Sequence, residues 1–170
     1  MNKRDEYWMG KAMKLARFAQ SKGEIPVGAI LVQNDKLISS GCNLSITLND
    51  PSAHAEMVAI RRAGQKLENY RIVNTTLYVT LEPCPMCAGL LVHSRISRLV
   101  FGASDLKTGA AGSVMDICNH SVLNHQIDVE PGVLKEECSH LLSSFFKKRR
   151  EEKKKRRIES SVEGACKSVG

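Results

Sequence analysis

Residues 77–89 read LYVTLEPCPMCAG. Leu77 to Leu81 form a short apolar run with the length of a buried strand. Pro83 breaks the run. Pro85 stands where a helix can begin, because the first helical residue has no intrahelical use for its N–H, and the helix is predicted to reach about His93. A second apolar strand, Leu99 to Gly102 (LVFG), follows at once. Strand, helix, strand is the unit of an α/β sheet whose later strands run parallel.

The pattern extends outward from this unit. Asp5 to Ser21 is predicted as an amphipathic helix, with Trp8, Ala12, Leu15 and Ala19 at helical spacing and Gly23 after its end. Val27 to Val32, the turn residues Asn34-Asp35 and then Leu37-Ile38 predict an antiparallel hairpin. Residues 43–52 are polar and loop-like. Ser52 is placed to cap a helix over Ala53 to Lys66. Residues 103–126 are irregular, Ile127 to Val129 is a short strand, and Val133 to Phe146 is a helix with Leu134, Cys138, Leu141, Leu142 and Phe145 on one face. The prediction is therefore an α/β domain with helices packed on a mixed sheet.

The chain has 170 residues, enough for one domain with a real core, and 25% charged residues with 42% hydrophobic ones exclude a wholly disordered polymer. No apolar run approaches the roughly 20 residues of a membrane span, and the N-terminal MNKRDEYW lacks the pattern of a signal peptide. The formal net charge of +7 is uneven. Residues 1–146 carry 15 Lys/Arg against 14 Asp/Glu, while residues 147–170 carry 10 against 4. The excess sits in KKRREEKKKRR, Lys147 to Arg157. Such a run either attracts a polyanion or merely solvates a helix end. From Glu159 onward the sequence is expected to be disordered. Among six cysteines, only Cys84 and Cys87 are closely paired; Cys42, Cys118, Cys138 and Cys166 are expected to be free thiols, and the protein is expected in the cytoplasm.

His54-Ala55-Glu56 and Pro83-Cys84-x-x-Cys87 carry the chemistry. Either fragment alone is weak evidence. Together each lies at the start of a predicted helix. Cys84 and Cys87, three apart, share a helical face, and a helix N-terminus favours thiolates. Two Cys and one His suit zinc, and the lack of an evident fourth ligand is the pattern of a catalytic site. Two thiolates offset the charge of the ion, so a carboxylate base is needed, and Glu56 is the candidate proton carrier of a hydrolytic deamination. The pairing H-x-E with P-C-x-x-C is the signature of zinc nucleobase deaminases.

Longer blocks narrow the reading: EYWM (6–9), EIPVGAILV (24–32), DPSAHAE (50–56), NYR (69–71), LYVTLEPCPMCAG (77–89), HSRI (93–96), VFGASDLKTGAAGS (100–113) and SSFFKKRR (143–150). Through them the chain resembles the bacterial tRNA-specific adenosine deaminases of the cytidine/deoxycytidylate deaminase superfamily. The resemblance implies a three-layer α/β/α fold with a central mixed sheet of about five strands. It implies a deaminase domain over 1–150, followed by a basic, partly disordered tail over 151–170. It implies a homodimer, one zinc ion per subunit held by His54, Cys84 and Cys87, no organic cofactor, and Glu56 as proton shuttle. The implied reaction converts adenosine to inosine at the first anticodon position of an arginine tRNA, bound through its anticodon stem-loop. Asn43 would then hydrogen-bond the flipped base and Val27 would pack on its face. Asp105 and Lys107 would lie beside the flanking nucleotides, with Asp105 accepting from a 2′-OH. Phe145, Arg149 and Arg150 would contact the RNA loop.

Plainer roles stand beside these. Asn43 equally fits a residue that ends a strand or forms a turn, and Asp105 a turn former or ion-pair partner. Phe145 and Phe146 are consecutive, so one packs inward and spacing does not say which. Glu82 either buttresses the site or orients a loop. Two other functions also fit the residues: a deaminase of the same fold acting on a free base, and a silent zinc-stabilised RNA-binding module.

Overall fold

The computed structural model describes residues 2–167, and side chains for residues 2–160. Five strands form one sheet in the order β2-β1-β3-β4-β5. β1 (Gly28–Gln33) pairs antiparallel with both β2 (Lys36–Cys42) and β3 (Thr76–Leu81), while β3, β4 (Arg98–Ala103) and β5 (Asp128–Pro131) run parallel. The expected mixed sheet and antiparallel opening hairpin are present.

Helices cover both faces. Helix α1 (Lys3–Ser21) and the start of α5 (Lys135–Lys167) pack on one face, where Trp8, Met9, Ala12, Met13 and Cys138 meet Ile30, Val32, Tyr78 and Val100. On the other face α3 (Ala55–Leu67) and α4 (Pro85–Ser94) cover Ala29, Leu31, Leu77, Val79, Leu99 and Phe101. Because side chains alternate across a strand, β3 and β4 are apolar on both sides, which is why LYVTL and LVFG carry no polar alternation. The buried stripe of α1 passes through Ala16, leaving Leu15 half-buried.

Three local expectations change. Residues 43–52 contain a one-turn helix, α2 (Ser45–Leu48). Ser52 does not cap α3: its N–H and hydroxyl both donate to Asp50 Oδ1, closing a tight turn, and His54 is the N-cap residue. Finally, α5 continues unbroken to Lys167, so 150/151 is a point inside a helix and residues 159–167 are helical where disorder was expected. Glu, Lys and Arg are good helix formers, and Glu151 with Lys155 and Glu152 with Arg156 stand at the favourable i, i+4 spacing. Cys42, Cys118 and Cys138 are free thiols, and Cys166 lies outside the described side chains. No described helix is long and apolar enough to cross a membrane.

Gly41 sets the approach of α3 to β2. A Cβ there would overlap the backbone of Ala55 and Ala59, so the first turn of α3 seats directly on the sheet. At the opposite end of the sheet, Asp5 joins α1 to the strands. Its buried carboxylate accepts from Arg98 Nη1 at 2.8 Å and Nη2 at 3.0 Å and from the Tyr78 hydroxyl at 2.9 Å. Burial pushes the Asp5 carboxyl up, but the hydrogen bonds from Arg98 and Tyr78 and the Arg98 charge outweigh it, and its pKa is lowered. The stability it contributes is therefore present above the unfolded-chain value of roughly 4 and is lost as pH falls through the lower folded value. Denaturant titrations from pH 6 down to pH 2 are expected to show a shallower acid loss in Asp5→Asn than in the parent chain. Equal acid slopes would contradict the assignment.

Candidate metal centre and base pocket

Helices α3 and α4 both begin where a strand or its following loop ends, and their starts converge. His54 is the N-cap of α3 and Cys84 the N-cap of α4, both with extended backbone, and neither side chain caps its own helix. The freed side chains face each other. His54 Nδ1 lies 3.7 Å from Cys84 Sγ and 3.6 Å from Cys87 Sγ. Among the described residues, these three form the cluster that could hold a metal ion. Zn–S distances of about 2.3 Å and Zn–N distances of about 2.0–2.1 Å at a tetrahedral angle separate N from S by about 3.6 Å. The observed spacings match, so the donor set fits zinc.

The free N–H at the start of α3 is satisfied from a distance. Asn43, just after β2, accepts from Ala55 N at 2.9 Å through Oδ1. That contact orients the Asn43 amide, since the oxygen must face the N–H. The family resemblance implies a base contact for Asn43, and the structure adds this capping bond.

Electrostatics follow from the helix starts. A hydrogen bond from Cys87 and another with His54 hold the Cys84 thiol down to about 4, against the effect of burial. The resulting Cys84 thiolate, together with burial, raises Cys87. The hydrogen bond with Cys84 raises His54 despite burial. Glu56 lies in the first turn of α3 and is 4% exposed. Burial raises its carboxyl to about 7; its own backbone N–H and His54 oppose this, while Cys84 adds to it. A buried carboxyl beside the metal donors is placed to hold and pass a proton.

Val27, Asn43, His54, Glu56, Cys84 and Asp105 all line one pocket of about 130 Å³, joined by Ile25, Leu81, Glu82 and Thr108. Lys107 is exposed and does not line it. Arg149 and Phe145 lie apart, in a groove with Gln20 and Gly23. Arg149 Nη2 donates to Gly23 O at 3.1 Å, and its guanidinium stands 5.3 Å from the Phe145 ring centroid. Phe145 is the inward ring, 6% exposed, and Phe146 the outward one, at 42%. The expected contact between Phe145 and RNA therefore meets a covered ring. Arg150 is exposed.

Two buried glutamates fasten loops near the pocket. Glu82 accepts from Asp105 N at 2.9 Å, Ala111 N at 3.1 Å and Ser113 N at 3.0 Å. It orients the loop, the second of its two sequence roles. Asp105 completes that loop by accepting from Lys107 N, Thr108 N and the Thr108 hydroxyl. Glu24, next to the pocket residue Ile25, accepts from Ile46 N at 3.2 Å and Thr47 N at 2.7 Å, tying down α2. Glu24 and Thr108 escaped the sequence argument. EIPVG and DLKTG carried them, but nothing local marked Glu24 as buried.

Known proteins match this chain. The model of the cytidine and deoxycytidylate deaminase zinc-binding region matches residues 2–103. The tRNA-specific adenosine deaminase of Haemophilus influenzae is 57% identical over 142 residues, 83% of this chain and 82% of its own length. That of Bacillus subtilis is 48% identical over 141 residues, 83% of this chain and 88% of its own. A solved structure from work on A-to-I editing by tRNA:A34 deaminases at the wobble position of transfer RNA superposes with a TM-score of 0.78 and 39% identity. It covers 80% of this chain and 99% of that one.

Proposed function

The chain belongs to the cytidine and deoxycytidylate deaminases, with tRNA-specific adenosine deaminases among its relatives, and from that premise we propose that it deaminates adenosine to inosine in tRNA. The site of reaction is the first anticodon position of an arginine tRNA with anticodon ACG. The observation that carries the proposal is a single pocket lined by His54, Cys84 and the buried carboxyl Glu56, with Cys87 completing the His/Cys/Cys donor set.

His54, Cys84 and Cys87 would hold one zinc ion per subunit, whose Lewis acidity makes a water nucleophilic at neutral pH. The remaining chemistry belongs to the chain. Glu56 takes a proton from the attacking water and delivers it to a ring nitrogen, then takes the second proton from the hydroxyl newly bonded to the ring carbon and gives it to the departing amine. The water oxygen ends on the ring carbon, the exocyclic C–N bond breaks, and ammonia leaves. Burial of Glu56 suits this work, since a group titrating near neutrality both accepts and releases a proton readily. The pocket is smaller than the roughly 300–1,000 Å³ of a drug-sized ligand site. It suits one ring system, with the sugar and phosphates left outside, as base extrusion requires.

Val27 packs on the base face. Asn43, its oxygen engaged by Ala55 N, offers the side-chain NH₂ to an acceptor on the ring. Asp105, Lys107, Arg149 and Arg150 serve the flanking nucleotides, with Phe145 supporting Arg149 from beneath. A homodimer acting in the cytoplasm follows from the same resemblance and forms part of the proposal.

The test uses two anticodon stem-loops, one with adenosine and one with cytidine at the first anticodon position. Nucleoside analysis is expected to find inosine from the first and no uridine from the second. Uridine alone, or no product from zinc-loaded protein, would overturn the reading.

A further inference from the structure

The basic run after the pocket forms an ordered surface. Helix α5 carries it at about 1.5 Å per residue, so its cations fall on definite faces. Arg149, Glu152, Lys153 and Arg156 line one shallow groove along the helix. They stand at i, i+3, i+4 and i+7, one stripe. Three cations against one anion leave that stripe positive. Lys147, Glu151 and Lys154 lie on the opposite side.

The stripe is tied to the chain segment that leads into the pocket. Arg149 Nη2 is tied to Gly23 O, and Ile25 and Val27 of the same segment line the pocket. The carbonyl is neutral, so the guanidinium keeps its charge. Residues 147–157 contain no apolar side chain, which removes the buried face that an interfacial membrane helix needs. A cationic stripe with no apolar partner fits a line of phosphates.

We propose that Lys153 and Arg156 extend the substrate surface outward from Arg149 and bind backbone phosphates of the paired anticodon stem. The proposal rests on the tRNA reading above. It gives the outer turns of α5 a defined partner, and it makes a stem-bearing RNA a better ligand than the unpaired loop alone.

The test compares the full-length chain with Lys153→Gln/Arg156→Gln and with Lys147→Gln/Lys154→Gln, which loses the same charge from the other side. Glutamine is a good helix former, so helicity should hold by circular dichroism. Binding of an anticodon stem-loop is followed by fluorescence anisotropy across a salt series. The stripe variant is expected to lower the slope of log affinity against log salt by about 1.4–1.8, at roughly 0.7–0.9 per phosphate. It should raise KM for the stem-loop and leave kcat and binding of the unpaired loop unchanged. The opposite-side variant should keep the parent slope. Equal slopes for the two variants would overturn the facial contact. A stripe variant that binds RNA normally but loses binding to phosphatidylserine vesicles would overturn the choice of partner. A parent chain that binds no stem-loop at all would overturn the tRNA reading itself, and this proposal with it.

Discussion

Replacing Glu56 with glutamine is expected to slow inosine formation by about 10²–10⁴-fold while zinc content and stem-loop affinity stay at parent levels. Glutamine preserves the volume of a side chain that is 4% exposed and seated in the first turn of α3. It keeps an oxygen able to accept the Glu56 backbone N–H and loses the capacity to take up and release a proton. His54, Cys84 and Cys87 are untouched, so the donor set remains at its 3.6 and 3.7 Å spacings. Three measurements on one preparation decide the matter: rate by nucleoside analysis, metal by elemental mass spectrometry, and binding by anisotropy. A rate within tenfold of the parent would remove Glu56 from the chemistry. Loss of metal along with rate would make it a structural residue of the site.

The second large effect belongs to Glu82→Gln. The carboxylate is 2% exposed and serves three amides, with Oε2 on Asp105 N and Oε1 on Ala111 N and Ser113 N. Glutamine has one oxygen. In either orientation its NH₂ group faces at least one buried N–H, leaving a donor unsatisfied against another donor. An unsatisfied buried group costs about 1–3 kcal/mol, and for a chain of this size each kcal/mol lowers Tm by roughly 2–4 °C. A fall on the order of 5 °C is therefore expected by thermal unfolding. The loop bearing Asp105 and Thr108 should also loosen, reducing kcat/KM more than the stability loss alone explains. Gly109 belongs to the same clamp, because a Cβ there would overlap the Glu82 carboxylate and Asp105 O. An unchanged Tm in Glu82→Gln would show that the carboxylate is not what holds the loop.

The two glutamates illustrate different kinds of legibility. Glu56 stands two residues after the histidine of the donor set at a helix start, so a window of three residues marks it as the proposed proton carrier. Glu82 works on residues 23, 29 and 31 positions away, and Glu24 on residues 22 and 23 away. No local pattern marks such partners. The α5 tail differed for another reason. Its composition suggested disorder from Glu159, yet the helix formers upstream carry the helix through to Lys167. Ser52 was an apt cap by residue type, but Asp50 engages it first and Asn43 supplies the first bond to α3.

By itself the sequence determined the alternation of strands and helices, the mixed sheet, the trio of His54, Cys84 and Cys87 with Glu56, and the uneven charge. Each of these depends on residues close together in the chain, where side-chain period, proline and helix-start chemistry act directly. Only the tertiary structure decided that Phe145 turns inward and Phe146 outward, that Asn43 holds the start of α3, and that Glu24 fastens α2 while Glu82 fastens the loop bearing Asp105. Burial and hydrogen-bond partnership between residues a dozen or more apart are properties of the packed sheet and its helices. They become defined when β1, β2 and β3 bring their ends together.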